Sequence, residues 1–193
     1  MIEIPFPDKK YQVIYADPPW SYSNKKTGDT NMISGAIDKY PTMTLNEIKT
    51  LPVQDICEKN CVLFLWGTTP LLPEAFEVLS SWGFKYKTTL YWRKIMSLGM
   101  GFWFRGQVEV CLVGIKGKVK AFRIQKANFI QTKVGKHSEK PIEVRQLIEL
   151  TKLDPKIELF ARQKTKDWDY WGNEVLEISK QVISTETKQK TIF

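Results

Sequence analysis

Short, nearly continuous apolar runs alternate along the chain with segments whose apolar residues follow helical spacing. This alternation predicts an α/β fold, because a strand covered by helices on both faces carries apolar side chains in both directions. The runs around Val13, Val62 and Val110 have the composition of such buried strands. The predicted strands cover residues 12–16, 61–66, 87–92, 108–115 and 156–160.

Three helices are predicted between these strands. Thr44 and Glu47 form a capping-box pattern, which marks a helix start. A second helix is predicted over residues 73–82, and a third over residues 141–151 with Ser138 as a candidate N-cap. Because 193 residues can build one substantial core but not two, we expect one domain over residues 1–178 and a polar, lysine-rich tail over residues 179–193.

Composition restricts the class of protein. No apolar run approaches the ~20 residues of a membrane span, and the first ten residues do not resemble a signal peptide, so we expect a cytoplasmic protein. Three cysteines and one histidine match neither a disulfide framework nor a four-ligand zinc site, so no metal is expected. A net charge of +8 favours a polyanionic partner such as nucleic acid.

The sequence Asp17-Pro18-Pro19-Trp20 directly follows the first predicted strand. Ligands of open α/β sheets bind beyond the carboxyl ends of strands. The prolines restrict φ and lack N–H groups, so they would hold Asp17 and the nearby carbonyls outward, beside the flat face of Trp20. Together these groups can grip a planar base that bears an exocyclic amine. The alternative is a structural turn with a packed tryptophan.

The same groups suit methyl transfer to N6 of adenine. This amine is a poor nucleophile, because its lone pair is delocalised into the ring. If Asp17 and the Pro18 carbonyl each accepted one N–H, the nitrogen would become more tetrahedral, and the carboxylate would face the developing positive charge. With a methyl donor already activated as a sulfonium, in-line alignment is the main remaining task.

The chain resembles the MT-A70 family of adenine-N6 methyltransferases from about Tyr11 to Val175. The matching motifs, in family order, are Ala16-Asp17-Pro18-Pro19-Trp20, Tyr40-Pro41-Thr42-Met43, Leu63-Phe64-Leu65-Trp66, Gly101-Phe102-Trp103, Glu109-Val110-Cys111-Leu112-Val113-Gly114, His137-Ser138-Glu139-Lys140-Pro141, Lys156-Ile157-Glu158-Leu159-Phe160-Ala161-Arg162 and Trp171-Gly172-Asn173-Glu174. The resemblance implies a Rossmann-like methyltransferase fold with a mostly parallel sheet, one antiparallel edge strand and helices on both faces. It also implies a circular permutation that places the catalytic motif before the cofactor motif.

The resemblance further implies S-adenosyl-L-methionine as cofactor. Lys140 is expected to pair with its methionine carboxylate, and Asn173 and Glu174 to hold its ribose or adenine edge. Tyr40 and Trp20 are expected near the target base, although Tyr40 could instead be a core tyrosine. The implied cofactor-binding residues are Asp17, Lys140, Glu158, Phe160, Arg162, Asn173 and Glu174.

DNA is the expected substrate, with the target base flipped onto the Asp17-Pro18-Pro19-Trp20 motif. The chain is compact and shows no added RNA-binding module, which is typical of a stand-alone bacterial or phage enzyme. Three alternatives remain open: an RNA adenine-N6 methyltransferase, a methyltransferase acting on a glutamine amide of protein, and a catalytically inactive nucleic-acid-binding partner subunit.

The loop from Ser97 to Gly106 is unusually apolar, with Trp103 between Phe102 and Phe104. An apolar patch of this kind indicates a partner surface. The resemblance agrees, because relatives pair through this region as homodimers or heterodimers. We therefore expect a homodimer formed through this loop.

A second surface is basic and contains interleaved aromatic residues. It is expected either to track phosphates or to form a solvated hairpin. Its residues are Lys116, Lys118, Lys120, Arg123, Lys126, Lys133 and Lys136, with Phe122 and Phe129 among them.

Overall fold

The fold is taken from a computed structural model, which describes residues 5–21, 42–95, 103–135 and 139–173. Its strands are β1 (Tyr11–Ala16), β2 (Cys57–Thr68), β3 (Lys85–Ile95), β4 (Val108–Lys116), β5 (Phe129–Lys133), β6 (Lys156–Leu159) and β7 (Asp169–Trp171). Its helices are α1 (Leu45–Lys49), α2 (Leu72–Ser81) and α3 (Ile142–Glu149), with 3-10 turns at Val53–Ile56 and Thr69–Leu71.

The strands form one sheet in the order β5-β3-β4-β2-β1-β6-β7. Strand β4 runs antiparallel to both its neighbours, β2 and β3, and every other pairing is parallel. The predicted mostly parallel, Rossmann-like sheet with one antiparallel strand is confirmed. That strand lies inside the sheet and not at the expected edge, because β3 and β5 extend the sheet beyond it.

Helices cover both faces of the sheet, as predicted. On one face, Ile48 of α1 and Val78 of α2 pack into a core cluster with Ile14 of β1. On the other face, Val144 and Ile148 of α3 pack into a second cluster. Strand β1 contributes to both clusters, which explains its continuous apolar run.

The five predicted strands are confirmed, with ends that differ by a few residues, and two strands were missed. In β5 only Ile130 is buried, so the sequence shows no apolar run there. Strand β7 has three residues, too few for a periodic pattern. Because β5 pairs with β3 in parallel and not with β4, residues 117–128, which connect β4 to β5, do not form the hairpin considered for the basic surface.

The capping box predicted at Thr44 and Glu47 is present. The Thr44 hydroxyl accepts a hydrogen bond from the Glu47 N–H at 3.3 Å, and a Glu47 carboxylate oxygen accepts one from the Thr44 N–H at 2.7 Å. This bonding lowers the pKa of the Glu47 carboxyl. The N-cap position of α3 is taken by Pro141 and not by the residue predicted for it.

Some predicted features lie outside the described residues. These are Tyr40, Glu174, Ser138, residues 97–102 of the apolar loop and the tail over residues 179–193. In the described part of the chain, no helix is both long enough and apolar enough to span a bilayer.

Candidate active site

The carboxyl edge of the sheet brings together residues that are far apart in sequence. Ala16 pairs with Leu159 of β6, so Asp17 emerges where two parallel strands end. Glu109 is the second residue of the antiparallel strand β4 and pairs with Thr68 at the end of β2. The amino end of β4 therefore lies at the same edge as the carboxyl ends of its neighbours.

Lys140, which immediately precedes the N-cap of α3, is the centre of an ion-pair cluster at this edge. Its Nζ lies 2.9 Å from Asp17 Oδ2 and 3.3 Å from Glu109 Oε2. Glu109 also forms an ion pair with Lys94 of β3. The Lys140 side chain is 11% exposed, and its Nζ lies 5.4 Å from the centroid of the Trp66 ring.

Electrostatics keep Lys140 and Glu109 charged. Burial lowers the pKa of Lys140, but the carboxylates of Asp17 and Glu109 outweigh burial and leave the pKa above its ordinary value. Burial raises the pKa of Glu109, and Lys140 with Lys94 more than offsets this, so its pKa is lowered. A lysine held charged and nearly buried at a ligand edge can bind an anionic group.

Sequence reasoning placed Asp17 and Lys140 in one site, and the structure brings them into contact. It assigned no role to Glu109 or Lys94. The available signal for Glu109 was a carboxylate at the start of an otherwise apolar strand. Lys94 carried no comparable signal, because it contacts Glu109 only through the pairing of β3 with β4.

The segment after Asp17 is held tightly by its own backbone. The Trp20 N–H donates to the Pro18 carbonyl at 2.9 Å, and the Met43 N–H donates to the Pro19 carbonyl at 2.9 Å. The Trp20 indole donates to the Trp66 carbonyl at 3.1 Å, and its side chain packs in the first core cluster, leaving the residue 8% exposed. The flat face of Trp20 is therefore mostly covered.

Glu158, predicted to line the cofactor pocket, forms a buried ion pair with Arg145 of α3. Arg145 Nη2 lies 2.6 Å from Glu158 Oε1 and 2.8 Å from Oε2. The guanidinium also lies 5.3 Å from the centroid of the Tyr15 ring. Burial raises the pKa of Glu158 despite the opposing effect of Arg145. Sequence reasoning missed Arg145, which looks like an ordinary polar position of an amphipathic helix.

The remaining predicted cofactor residues follow β6 and β7. Phe160 has φ of 61°, and its ring packs edge-on against Trp171 at 5.4 Å between centroids. A Cβ on Gly172 would lie 2.5 Å from the Ala161 carbonyl oxygen, so only glycine allows these two segments to approach so closely. This contact places exposed Asn173 beside the end of β6, and Arg162 lies partly exposed two residues after Phe160.

Polar atoms without a hydrogen-bond partner of suitable geometry lie beneath the ion-pair cluster. Within the described ranges, they include Tyr15 Oη, Trp66 Nε1 and Arg145 Nε, all of them buried. Arg145 lies against Tyr15, and Lys140 lies against Trp66. Burial raises the pKa of Tyr15, and its contact with Trp66 opposes this rise, so two of these groups interact with each other.

The fold and this site define a class. A mostly parallel sheet with one antiparallel strand carries a carboxylate and a charged lysine at its carboxyl edge, as in a Rossmann-like methyltransferase.

Comparison with known proteins gives the family. The MT-A70 family model matches residues 11–174. The Type II methyltransferase M.MunI from Mycoplasma sp is 40% identical over 88% of this chain and 79% of its own length. A putative N(6)-adenosine-methyltransferase MT-A70-like protein from Medicago truncatula is 32% identical over 86% of this chain and 26% of its own length. The human N(6)-adenosine-methyltransferase catalytic subunit METTL3 is 30% identical over 86% of this chain and 28% of its own length. The chain belongs to the MT-A70 family and is a methyltransferase.

Proposed function

We propose that this protein transfers a methyl group from S-adenosyl-L-methionine to N6 of an adenine in DNA, with the target base flipped out of the helix. The observation that carries the proposal is the contact between Asp17 and Lys140 at the carboxyl edge of the sheet. Asp17 offers a carboxylate to the acceptor amine, and Lys140 offers a cation to an anionic group of the methyl donor. The family match and the named relatives support adenine N6 as the acceptor.

The donor set fits S-adenosyl-L-methionine. Lys140 would pair with its carboxylate, Phe160 would supply an apolar wall, and Asn173 would bond its hydroxyls. When bound, S-adenosyl-L-methionine supplies a methyl group already activated on a sulfonium.

The residues after β1 would act on the acceptor amine. Asp17 would accept one N–H of the amine, and its charge would stabilise the positive nitrogen as the methyl group transfers. The Pro18 carbonyl already accepts the Trp20 N–H, but a carbonyl oxygen has a second lone pair for the other amine N–H. Trp20 would present the small exposed part of its ring to the base.

DNA is proposed over RNA because the chain is more similar, and over more of the relative's length, to the Type II methyltransferase than to the N(6)-adenosine-methyltransferases. The test is a parallel assay with a DNA duplex library and RNA of the same sequences, followed by mapping of methylated adenines. Methylation of RNA alone would contradict the DNA assignment. If neither is methylated and calorimetry detects no binding of S-adenosyl-L-methionine, the protein is an inactive partner subunit.

Lys140→Ala is expected to raise the Kd for S-adenosyl-L-methionine by roughly 10- to 100-fold, the usual effect of losing a charge-assisted hydrogen bond to a carboxylate. Isothermal titration calorimetry measures this change. Lys94→Ala is the matched control, because Lys94 forms an ion pair with Glu109, whereas the ion pair with Asp17 is made by Lys140. Equal Kd values for Lys140→Ala and the parent protein would refute the assignment.

Trp103 and Phe104 are 93% and 89% exposed, which supports a homodimer formed through this loop. The double variant Trp103→Glu/Phe104→Lys is expected to be a monomer that binds the cofactor normally and methylates poorly. A monomer offers less surface with which to hold DNA and offset the free energy of base flipping.

Light scattering at micromolar concentration measures the oligomeric state. Leu150→Glu is the control, because Leu150 is an apolar residue on another surface and is 52% exposed. A fully active parent protein that scatters as a monomer of 22.5 kDa would contradict the dimer.

A further inference from the structure

A cavity of 530 Å³ opens on the α3 face of the sheet, away from the ion-pair cluster. It lies beneath the irregular segment 117–128, here called the basic segment, which connects β4 to β5. Its floor is apolar and includes Phe64 and Val113, both buried in the second core cluster. Leu147 of α3 forms one side and Phe122 of the basic segment contributes to another. The volume lies within the range of about 300–1,000 Å³ typical of ligand pockets.

The residues around this cavity carry charge of one sign only. Four cationic side chains line it, and no acidic residue does. They are Lys87 of β3 and Lys120, Arg123 and Lys126 of the basic segment, and all four residues are exposed. Apolar walls beneath exposed cations match a ligand with a flat apolar part and anionic groups. A nucleotide has this composition, because its base has apolar faces and its phosphates are charged.

The basic segment is held at both ends. The Lys118 N–H donates to Asn60 Oδ1 at 2.7 Å, and Asn128 Nδ2 donates to the Thr89 carbonyl at 3.0 Å. Between these anchors Arg123 has φ of 52°, a left-handed conformation that is uncommon for arginine. Such conformations concentrate at ligand-binding sites, where the surrounding structure maintains them. The geometry of the segment therefore supports a binding role for its cations.

We infer that this cavity binds an unpaired nucleotide of the substrate strand, several nucleotides away from the target adenine. This inference rests on the proposed function, and it adds a second contact site for the same strand. One face of β4 carries Glu109 of the ion-pair cluster and both Val113 and Ile115 of the cavity. At ~3.4 Å per residue, Glu109 is separated from the two cavity residues by about 14 to 20 Å along the strand. At ~3.4 Å per nucleotide along a stacked strand, that separation is roughly four to six nucleotides.

The first test is photochemical cross-linking to single-stranded oligo-dT that carries 5-iodouracil, a base analogue that couples to nearby aromatic side chains. Mass spectrometry of the parent protein is expected to locate the cross-link on the basic segment, at Phe122. Cross-links confined to other aromatic residues would overturn the inference.

The second test measures how binding depends on salt. Lys120→Gln/Arg123→Gln is expected to lower the slope of log K against log salt for oligo-dT by about 1.4, because each lost phosphate contact accounts for about 0.7. Lys118→Gln is the matched control, since Lys118 belongs to the same segment but does not line the cavity. An unchanged slope in the double variant, or an equal change in the control, would contradict the assignment.

Other outcomes separate this inference from the proposed function. Methylation of DNA by a protein that gives no cross-link at the basic segment would leave the function intact and remove the second site. A specific cross-link at the basic segment in a protein that methylates no nucleic acid would support nucleotide binding by the cavity and contradict the proposed function. Binding to phosphatidylglycerol vesicles that is lost in Lys120→Gln/Arg123→Gln, with oligo-dT binding unchanged, would assign the cavity to lipid and overturn the inference.

Discussion

Asp17→Ala is expected to reduce methylation by at least about 10²- to 10³-fold, the scale of losing one preorganised group that stabilises transition-state charge. The side chain is partly exposed at the edge of the sheet and packs in neither core cluster, so the fold should remain intact. Lys140 keeps Glu109 as a partner at 3.3 Å, so cofactor binding should survive. Single-turnover assays measure the rate, and calorimetry measures binding of S-adenosyl-L-methionine.

The control for this variant is Glu77→Ala, which removes a carboxylate from the exposed salt bridge with Lys49, at 2.9 Å, and leaves the site unchanged. Its activity should equal that of the parent protein. Near-normal methylation by folded Asp17→Ala would refute the mechanism. Loss of cofactor binding together with activity would show that Asp17 acts mainly by binding the cofactor and not by polarising the amine.

Arg145→Met is expected to lower the free energy of unfolding by about 3–5 kcal/mol at neutral pH, because it leaves the buried carboxylate of Glu158 without its partner. A protein of this size is usually stable by only about 5–15 kcal/mol, so the loss is large. Urea unfolding followed by tryptophan fluorescence measures it. The double variant Arg145→Met/Glu158→Leu is expected to recover most of the loss, since neither charge remains buried.

The destabilisation of Arg145→Met should depend on pH. The pKa of Glu158 is already raised in the folded protein, and removal of Arg145 should raise it further. A carboxyl with a raised pKa binds more protons when folded, so its contribution to stability is present at low pH and is lost as pH rises through the folded pKa. The difference between Arg145→Met and the parent protein should therefore be smaller at about pH 5 than at about pH 7.

An equal difference at both pH values would show that Glu158 is not the source of the lost stability. A double variant as unstable as Arg145→Met would point instead to lost packing of the Arg145 side chain against Tyr15. The ion pair between Arg145 and Glu158 connects α3, which follows Lys140, to β6, which precedes Phe160.

Much of the architecture was predictable from local sequence. Strand β1 is buried on both faces, so its apolar run was continuous and its end placed Asp17 at a ligand edge. Trp66 lies in the apolar run of β2 and is 1% exposed. The helix start at Thr44 depends on neighbouring residues alone, and the capping box there was visible in the sequence.

The proposed site was predictable only in part. Asp17 and Lys140 stand in recognisable motifs, and tertiary structure places them 2.9 Å apart. Whether the assigned residues act as proposed on substrate and cofactor stays a prediction. The packing of Trp20 was considered only as an alternative, because its bond to the Trp66 carbonyl joins residues 46 positions apart.

The sequence by itself determined which segments become buried strands and helices, since burial on one or two faces leaves a pattern that local composition records. Tertiary structure alone decided the order of the strands, the inclusion of β5 and β7, and the partners of Lys140 and Arg145. Those features depend on pairing between distant segments, and a short or half-exposed strand carries no local pattern that identifies its neighbour. The ion pairs at the edge of the sheet follow from that pairing: Lys94 meets Glu109 only because β3 lies beside an antiparallel β4.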